Sequence, residues 1–259
     1  MAPELLIQYI LQAKVDLLWF GGIGTYIRSR AETDFDVKDA SNDLLRVEAN
    51  QLRCSIIGEG ANLAMTQKAR IEYASLGGRL NTDAIDNSAG VSCSDHEVNI
   101  KILFSNLMQT QRITRAERDQ LLPEMTEDVA AHVLNDNSEQ NRVLTWLQIH
   151  SQYDIDAYKQ LINILERNPS LPLNRKLESL PMDQEIDQRA HDQRGLTRPE
   201  LAVLLAYSKI ILFQRILNES DRISMEYTPV LMGYFPNVLQ KRFSQEIRQG
   251  HFIKILDNL

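Results

Sequence analysis

The chain has 259 residues, of which 43% are hydrophobic and 24% charged, and its formal net charge is −7. This profile is typical of a globular protein and excludes a disordered or collagen-like chain. The acidic excess argues against sequence-independent nucleic-acid binding and against a polybasic membrane anchor, since both need clustered positive charge. We therefore expect neither nucleic acid nor a membrane among the partners.

Cysteine use and hydropathy give further limits. Cys54 and Cys93 form neither a zinc motif nor a disulfide scaffold, and this use fits a reducing cytosol, so we predict a cytoplasmic protein. The N-terminus lacks the basic segment of a signal peptide. The longest apolar stretch, Leu201–Phe213, is interrupted by Ser208 and Lys209 and is too short to span a bilayer. The five histidines show no metal-ligand spacing, so no metal site is predicted.

The distribution of glycine predicts the domain organisation. Eight of the eleven glycines lie at or before Gly90, and glycine-dense turns between apolar runs indicate alternating strands and helices. The glycine-poor remainder indicates helices. We therefore predict an α/β domain over residues 1–105, followed by an all-helical C-terminal region over residues 106–259.

Two apolar runs in the first part predict a parallel sheet. Val15–Phe20 is a predicted strand that ends at two glycines, and Cys54–Ile57 is a second one that ends at Gly58. Continuous apolar runs are typical of parallel strands covered on both faces. The polar segment Arg30–Asn42 between them is predicted as a surface loop or short helix.

Helical signals dominate from residue 66 onwards. The spacing predicts helices over Thr66–Leu76 and Asp95–Met108, with a short third strand over Thr82–Asp86 between them. Capping-box spacing predicts helix starts after Thr114 and Thr197. Prolines between later helices indicate a connection, and these are Pro169, Pro172 and Pro181.

Three segments of the α/β part are candidate binding elements. Gly22-Ile-Gly24-Thr-Tyr-Ile27 follows a strand and is a near miss to the dinucleotide fingerprint, with Ile27 in place of the third glycine. It indicates either pyrophosphate binding or a turn at the carboxyl edge of the sheet. Gly58-Glu-Gly-Ala-Asn62 follows the second strand, and Asn62 offers a donor and an acceptor to a ribose or an amide. The alternative is a tight turn with Asn62 in the left-handed conformation.

The third segment is Asn87-Ser-Ala-Gly-Val-Ser-Cys-Ser94, before the helix that carries Glu97. Ser94 is placed to cap that helix with Glu97, which is one interpretation of the serine. The other is that hydroxyls and N–H groups at a helix N-terminus bind an anionic substrate group. His96 lies beside this segment, but a packing role is favoured over acid–base chemistry.

These three segments, in this order, resemble the cofactor domain of a glutamate dehydrogenase. The runs that carry the resemblance are D-L-L-W-F-G-G, then I-I-G-E-G-A-N, then D-N-S-A-G-V-S-C-S-D-H-E. Two segments are most similar to the large bacterial NAD-specific enzymes. These are W-F-G-G-I-G-T-Y-I and the predicted helical segment L-T-R-P-E-L-A-V-L-L-A-Y-S-K. The resemblance covers nearly the whole chain except residues 251–259, and it implies part of a Rossmann-like, dinucleotide-binding domain before the helical region.

The resemblance implies site residues one by one. Gly22, Asn62 and Asn87 match residues that bind the nicotinamide side of NAD. Val91 and Ser94 match substrate contacts, the serine hydroxyl reaching the side-chain carboxylate of glutamate. At two places this sequence differs from the smaller members of the family, and both differences affect the local backbone. One is Ala89, where smaller members have glycine, and the other is Leu63-Ala-Met65, where they usually have Gly-Pro-Thr.

The implied reaction is oxidative deamination of L-glutamate to 2-oxoglutarate and ammonia with NAD. No segment matches the family's lysine and aspartate motifs, nor its phosphate-binding glycine turn, so we assign no catalytic residue here. We expect the 259 residues to be part of a larger, homo-oligomeric enzyme and to be inactive alone.

Two alternatives stand beside this hypothesis. One is a non-catalytic nucleotide-binding or assembly module. The other is a leucine or phenylalanine dehydrogenase, which Ser94 disfavours because those substrates need an apolar lining.

Overall fold

The computed structural model describes residues 2–218 and 228–249. The chain forms two compact units, each built from two sequence segments. The first unit contains the residues up to Ser88 together with Gln140–Ser208, and the second contains Ala89–Glu139 together with the described residues from Lys209 onwards. The predicted order of a small α/β part followed by a helical region is confirmed. The domain boundary after residue 105 stays a prediction.

The elements are few strands and many helices. The strands are β1 (Leu17–Phe20), β2 (Ile27–Arg28), β3 (Val47–Glu48) and β4 (Ile56–Glu59). The first helices are α1 (Pro3–Leu11), α2 (Asp34–Val37), α3 (Gln67–Ser75), α4 (Asp83–Asp86) and α5 (Ser88–Gln109). The later helices are α6 (Arg115–Glu124), α7 (Thr126–Tyr153), α8 (Ile155–Glu166), α9 (Asp183–His191), α10 (Arg198–Asn218), α11 (Thr228–Tyr234), α12 (Asn237–Arg242) and α13 (Ser244–Gln249). None of the helices within these described ranges is long and apolar enough to cross a membrane.

The sheet of the first unit is parallel, as predicted. β1 pairs with β4 in a register that places Leu17 opposite Ile56 and Phe20 opposite Glu59. On its other side, β4 meets a single residue, Arg79, whose carbonyl accepts the N–H of Ile57 at 2.9 Å. A second parallel pair joins β2 to β3. Because both long strands run the same way, their carboxyl ends meet at one edge.

Only one face of the β1–β4 pair is well covered. Phe20 and Ile57 are buried in the core of the first unit, with Ile27, Met65 and Tyr73. On the opposite face Leu17 is 52% and Trp19 59% exposed. The prediction of strands buried on both faces is therefore wrong for β1. An apolar run shows which residues can be buried, and tertiary packing decides which of them are.

The predicted helix Thr66–Leu76 is confirmed as α3. The Thr66 hydroxyl caps it by accepting the N–H of Ala69, and Gly77 follows the helix at φ +95°, a left-handed backbone that favours glycine. The predicted third strand over Thr82–Asp86 is wrong, because this segment forms α4. Thr82 is extended and precedes a single helical turn that buries Ile85. Five residues of mixed polarity do not distinguish a short strand from a single helical turn.

The later helix signals are confirmed at both predicted starts. At the start of α6 the bonds are reciprocal, since the Thr114 hydroxyl accepts the N–H of Glu117 and the Glu117 carboxylate accepts the N–H of Thr114. At the start of α10 the Glu200 carboxylate accepts the N–H and the hydroxyl of Thr197 at 2.6 and 2.7 Å. The predicted proline-bracketed connection lies between the end of α8 at Glu166 and the start of α9 at Asp183. The predicted segment 30–42 contains the short helix α2 and a 3₁₀ turn over Ala40–Asn42.

Candidate functional site

The carboxyl ends of β1 and β4 form the edge where two of the candidate segments meet. Gly21 and Gly22 follow β1, and the turn from Gly60 to Asn62 follows β4. The two segments are joined directly, because the N–H of Ala61 donates to the carbonyl of Phe20 at 3.0 Å. Gly22 is exposed, and a Cβ placed on it would meet no atom within 4 Å. A ligand can therefore approach the backbone closely at Gly22.

The segment after Gly22 is a turn and not the start of a helix. Gly24 has φ +144°, and Ile27 begins the short strand β2 with its side chain fully buried. The backbone of Thr25 is fixed at both ends: its N–H donates to the Asp39 carboxylate at 2.8 Å, and its carbonyl accepts from Arg46 at 2.9 Å. The dinucleotide fingerprint requires a helix at this point. The interpretation as a turn at the edge of the sheet matches the structure.

The structure brings two predicted cofactor-binding residues together. The side-chain amide of Asn87 donates to the side-chain carbonyl of Asn62, across 25 positions of sequence. Within the described part of the chain, the amino group of Asn62 and the carbonyl oxygen of Asn87 have no other hydrogen-bond partner. If the oxygen and nitrogen positions are exchanged in both side chains, the pair still has one free amino group as donor and one free oxygen as acceptor. The pair can therefore bind a group that itself has an acceptor and a donor, such as a carboxamide.

A buried ion cluster fixes the turn that carries Asn62. Glu59 is fully buried at the end of β4, and Arg70 of α3 donates to its two carboxylate oxygens at 2.7 and 2.8 Å. The same carboxylate accepts the N–H of Met65 at 3.2 Å. Burial raises the pKa of Glu59, and the bonds from Arg70 act against that rise. The bidentate geometry, to a guanidinium that stays charged, is that of an ionised carboxylate.

Two further carboxylates tie the turn to α4. Asp83 accepts the N–H of Leu63 at 2.8 Å and lies 3.2 Å from the Arg70 guanidinium. Asp86 accepts the N–H of Glu59 at 2.9 Å. Since Asn87 directly follows α4, the same short helix that holds the turn also places Asn87 beside Asn62.

The alternative proposed for Asn62 needs a correction. The left-handed residue of this turn is Leu63, with φ +63°, and not Asn62. The amide side chain of Asn62 therefore serves no left-handed backbone, and it stays exposed beside Asn87. The strain at Leu63 coincides with the hydrogen bond from its N–H to Asp83, which holds that conformation.

The start of α5 also differs from the prediction. The helix begins at Ser88 and not near Asp95, so Ser94 lies inside it and is not its N-cap. The predicted capping box with Glu97 is therefore wrong, and so is the placement of Ser94 at a helix N-terminus. Gly90 and the serines suggested a loop, but the turn of α4 before Asn87 leads straight into the helix.

The two predicted substrate contacts share one face of α5. Val91 and Ser94 are three residues apart on this helix, a spacing that places side chains side by side. Val91 is 64% exposed, and Ser94 is exposed as well. Both belong to the second compact unit, whereas Gly22, Asn62 and Asn87 belong to the first.

His96 is a packing residue of the second unit. It is 3% exposed and stacks on Tyr234 with ring centroids 4.3 Å apart, and the ring of His132 lies 5.6 Å away. Burial lowers the pKa of His96, the nearby His132 adds to this, and Asp136 and Asp95 oppose it. The histidine is neutral at neutral pH and inaccessible to a substrate.

Sequence reasoning missed the residues that hold the site together. Glu59, Arg70, Asp83 and Asp86 were not predicted to have any role. The available signal was a glutamate at the end of an apolar strand, because a buried charge needs a partner. The pair Asp83 and Asp86, placed just before Asn87, was hidden by the strand prediction.

The sequence matches family models of glutamate dehydrogenases. Residues 1–147 match the family model described as bacterial NAD-glutamate dehydrogenase, catalytic domain, and residues 193–254 match glutamate dehydrogenase, C-terminal. Similar proteins include NAD-specific glutamate dehydrogenases from Mycobacterium tuberculosis (46% identical over 248 residues), Pseudomonas aeruginosa (45% over 249) and Halomonas elongata (42% over 253). These alignments cover 96%, 96% and 95% of this chain. The chain spans 15% of the length of each of these curated relatives.

Proposed function

This chain belongs to the bacterial NAD-glutamate dehydrogenase family, and from that premise we propose that it supplies the nicotinamide end of the NAD site in such an enzyme. The reaction proposed for the whole enzyme is oxidative deamination of L-glutamate to 2-oxoglutarate and ammonia. NAD supplies the hydride acceptor for this reaction when it is bound. The contribution of this chain is to bind and orient the nicotinamide end.

The observation that carries the proposal is the hydrogen bond between Asn62 and Asn87 at the carboxyl edge of the sheet. Open α/β sheets bind dinucleotides at this edge. The pair retains one donor and one acceptor, which match the oxygen and the amino group of a carboxamide or the hydroxyls of a ribose. The exposed backbone at Gly22 lies after the adjoining strand and leaves room for a flat ring.

The ion cluster beneath the pair gives the site its rigidity. Glu59 with Arg70 fixes the start of the turn, and Asp83 fixes Leu63 just beyond Asn62. A polar group that is held in place before the ligand arrives loses less conformational entropy on binding. We propose that the cluster keeps Asn62 at the position that the nicotinamide end requires.

Val91 and Ser94 are the proposed substrate contacts. Val91 presents an exposed apolar surface for the methylene groups of glutamate, and the Ser94 hydroxyl donates to its side-chain carboxylate. A hydroxyl donor favours glutamate over leucine or phenylalanine, because an apolar side chain would cover the hydroxyl and leave it unpaired. We propose that the acid–base residues lie outside these 259 residues, since the sequence analysis predicts no lysine or aspartate motif of the family here. The chain alone should then form no NADH from glutamate.

We further propose a cytoplasmic homo-oligomer. The two cysteines are free, Cys54 buried and Cys93 partly so, which fits a reducing compartment. Trp19 and Leu17 expose an apolar strand face that suits contact with another surface.

The test uses the full-length enzyme that contains this sequence. Asn62→Ala and Asn87→Ala should each raise the KM for NAD by about 5- to 100-fold, because each removes a hydrogen bond and unpairs its partner. The matched control is Asn135→Ala, an exposed helical asparagine, which should leave both KM values unchanged. NAD binding without glutamate-dependent NADH formation by the unsubstituted enzyme would favour the nucleotide-binding module instead. Unchanged KM values in both variants would refute the assigned site.

A further inference from the structure

The helical motif L-T-R-P-E of the first unit contacts the elements that hold the turn of Asn62. Arg198 is the first residue of α10, and its Nε donates to the side-chain oxygen of Asn81 at 2.5 Å. The carbonyl of Pro199 accepts from Gln67, the first residue of α3, at 3.2 Å. The helical segment therefore contacts both the approach to α4 and the helix that carries Arg70.

Asn81 relays the contact from Arg198 to the site. Its oxygen accepts from Arg198, which fixes the orientation of the amide, and its Nδ2 then donates to Asp86 at 2.6 Å. The other oxygen of Asp86 accepts the N–H of Glu59 at 2.9 Å. Three consecutive hydrogen bonds thus lead from Arg198 to Glu59, the last residue of β4 before the turn that carries Asn62.

Arg198 is partly buried, and the oxygens that accept its hydrogen bonds belong to neutral groups. Its remaining donors bind the side-chain and backbone oxygens of Asn141 at 3.0 and 3.1 Å and the Thr145 hydroxyl at 2.9 Å. Among the described residues it forms no ion pair, unlike Arg189 nearby, which binds Glu200 at 2.8 Å. Burial accordingly lowers the pKa of Arg198, while Asp86 acts in the opposite direction.

We infer that Arg198 and Asn81 are positioning residues for the nicotinamide end of the NAD site. The inference rests on the function proposed above and assigns a role to the helical motif. Arg198 orients Asn81, Asn81 holds Asp86, and Asp86 holds both the start of the turn and the helix that places Asn87. Without this relay Asp86 can rotate, and the pair Asn62–Asn87 loses its fixed geometry.

Two variants test the relay in the full-length enzyme. Arg198→Met removes the guanidinium that orients Asn81. Asn81→Asp keeps an oxygen for Arg198 but replaces the donor to Asp86 with a second negative charge. Both should raise the KM for NAD by about 3- to 30-fold while kcat stays within about twofold. The control Arg194→Met removes an exposed arginine whose one ion-pair partner among the described residues is Asp192, and it should change neither constant.

Hydrogen exchange at the Glu59 amide gives a readout independent of activity. This N–H donates to Asp86, so its exchange should be about tenfold faster in both variants, while the Ile56 amide within the sheet stays protected. Unchanged exchange at Glu59 in Asn81→Asp would overturn the relay. Faster exchange with an unchanged KM for NAD would overturn the positioning role. If the unsubstituted enzyme forms no NADH from glutamate, the proposed function fails, and the Glu59 exchange still shows or refutes the relay.

Discussion

Replacing Arg70 by methionine should remove the support of the turn that carries Asn62, at a large cost in unfolding free energy. The side chains of Arg70 and Glu59 are 7% and 1% exposed, and two hydrogen bonds of 2.7 and 2.8 Å join them. Arg70→Met leaves the Glu59 carboxylate buried without a cation. Breaking a buried pair in this way costs about 3–5 kcal/mol of unfolding free energy. For a unit of this size, that lowers the melting temperature by about 6–20 °C.

A second substitution distinguishes the unpaired charge from lost packing. Glu59→Gln combined with Arg70→Met removes both charges and keeps an oxygen that can accept the N–H of Met65. The double variant should recover at least about half of the loss, because a neutral amide costs less to bury than a carboxylate. Urea unfolding of the wild type and both variants measures these free energies. The control Arg115→Met removes an exposed arginine 4.0 Å from Asp119 and should change stability by less than about 0.5 kcal/mol.

The stability lost in Arg70→Met should also depend on pH. Without Arg70 the pKa of Glu59 rises further above its value in the unfolded chain, because burial is no longer opposed by the guanidinium. Folding then takes up a proton, so the variant loses stability as pH rises through that raised pKa. The gap between wild type and Arg70→Met should be smaller at pH 5 than at pH 8. An equal gap at both pH values, or a double variant no better than the single one, would refute this reasoning.

Three further predictions concern other parts of the chain. Ser94→Ala in the full-length enzyme should leave stability within about 0.5 kcal/mol, since Ser94 caps no helix, and lower kcat/KM for glutamate about 10- to 150-fold; an unchanged kcat/KM would exclude the substrate contact. The edge of β1 not paired with β4 should cause self-association of the chain, weakened by Leu17→Lys; a clean monomer by light scattering at high concentration would contradict this. Unfolding free energy should fall as pH drops below about 6.5, because burial lowers the pKa of His96 and the unfolded chain takes up its proton first. That part of the pH dependence should vanish in His96→Leu, and its persistence would show that another group is responsible.

Local signals in the sequence predicted local structure well. Thr66 and Thr114 precede helices because a hydroxyl at that position accepts a free backbone N–H whatever the tertiary context. At Thr197 the Glu200 carboxylate accepts both the backbone N–H and the hydroxyl of the threonine. The apolar runs around Leu17–Phe20 and Ile56–Glu59 predicted parallel strands, and the pairing of β1 with β4 confirms them. The carboxyl edge followed from the strand order, and with it the neighbourhood of Gly22 and Asn62.

Features that depend on long-range contacts could not be predicted in the same way. Glu59 is a charged residue at a strand end, and only its contact with Arg70, eleven positions on, makes its burial tolerable. The helical start at Ser88 was hidden because Gly90 and the neighbouring serines favour a loop when their surroundings are unknown. The relay from Arg198 joins positions 117 residues apart, so no local pattern reports it.

The most direct test is the position of the nicotinamide ring in the full-length enzyme with NADH bound. A structure by crystallography or electron cryomicroscopy should place the carboxamide or the adjoining ribose within hydrogen-bond distance of Asn62 and Asn87, about 2.7–3.2 Å. The ring should lie against the backbone of Gly22. An adenine ring at this edge, or a nicotinamide ring bound away from both asparagines, would contradict the account.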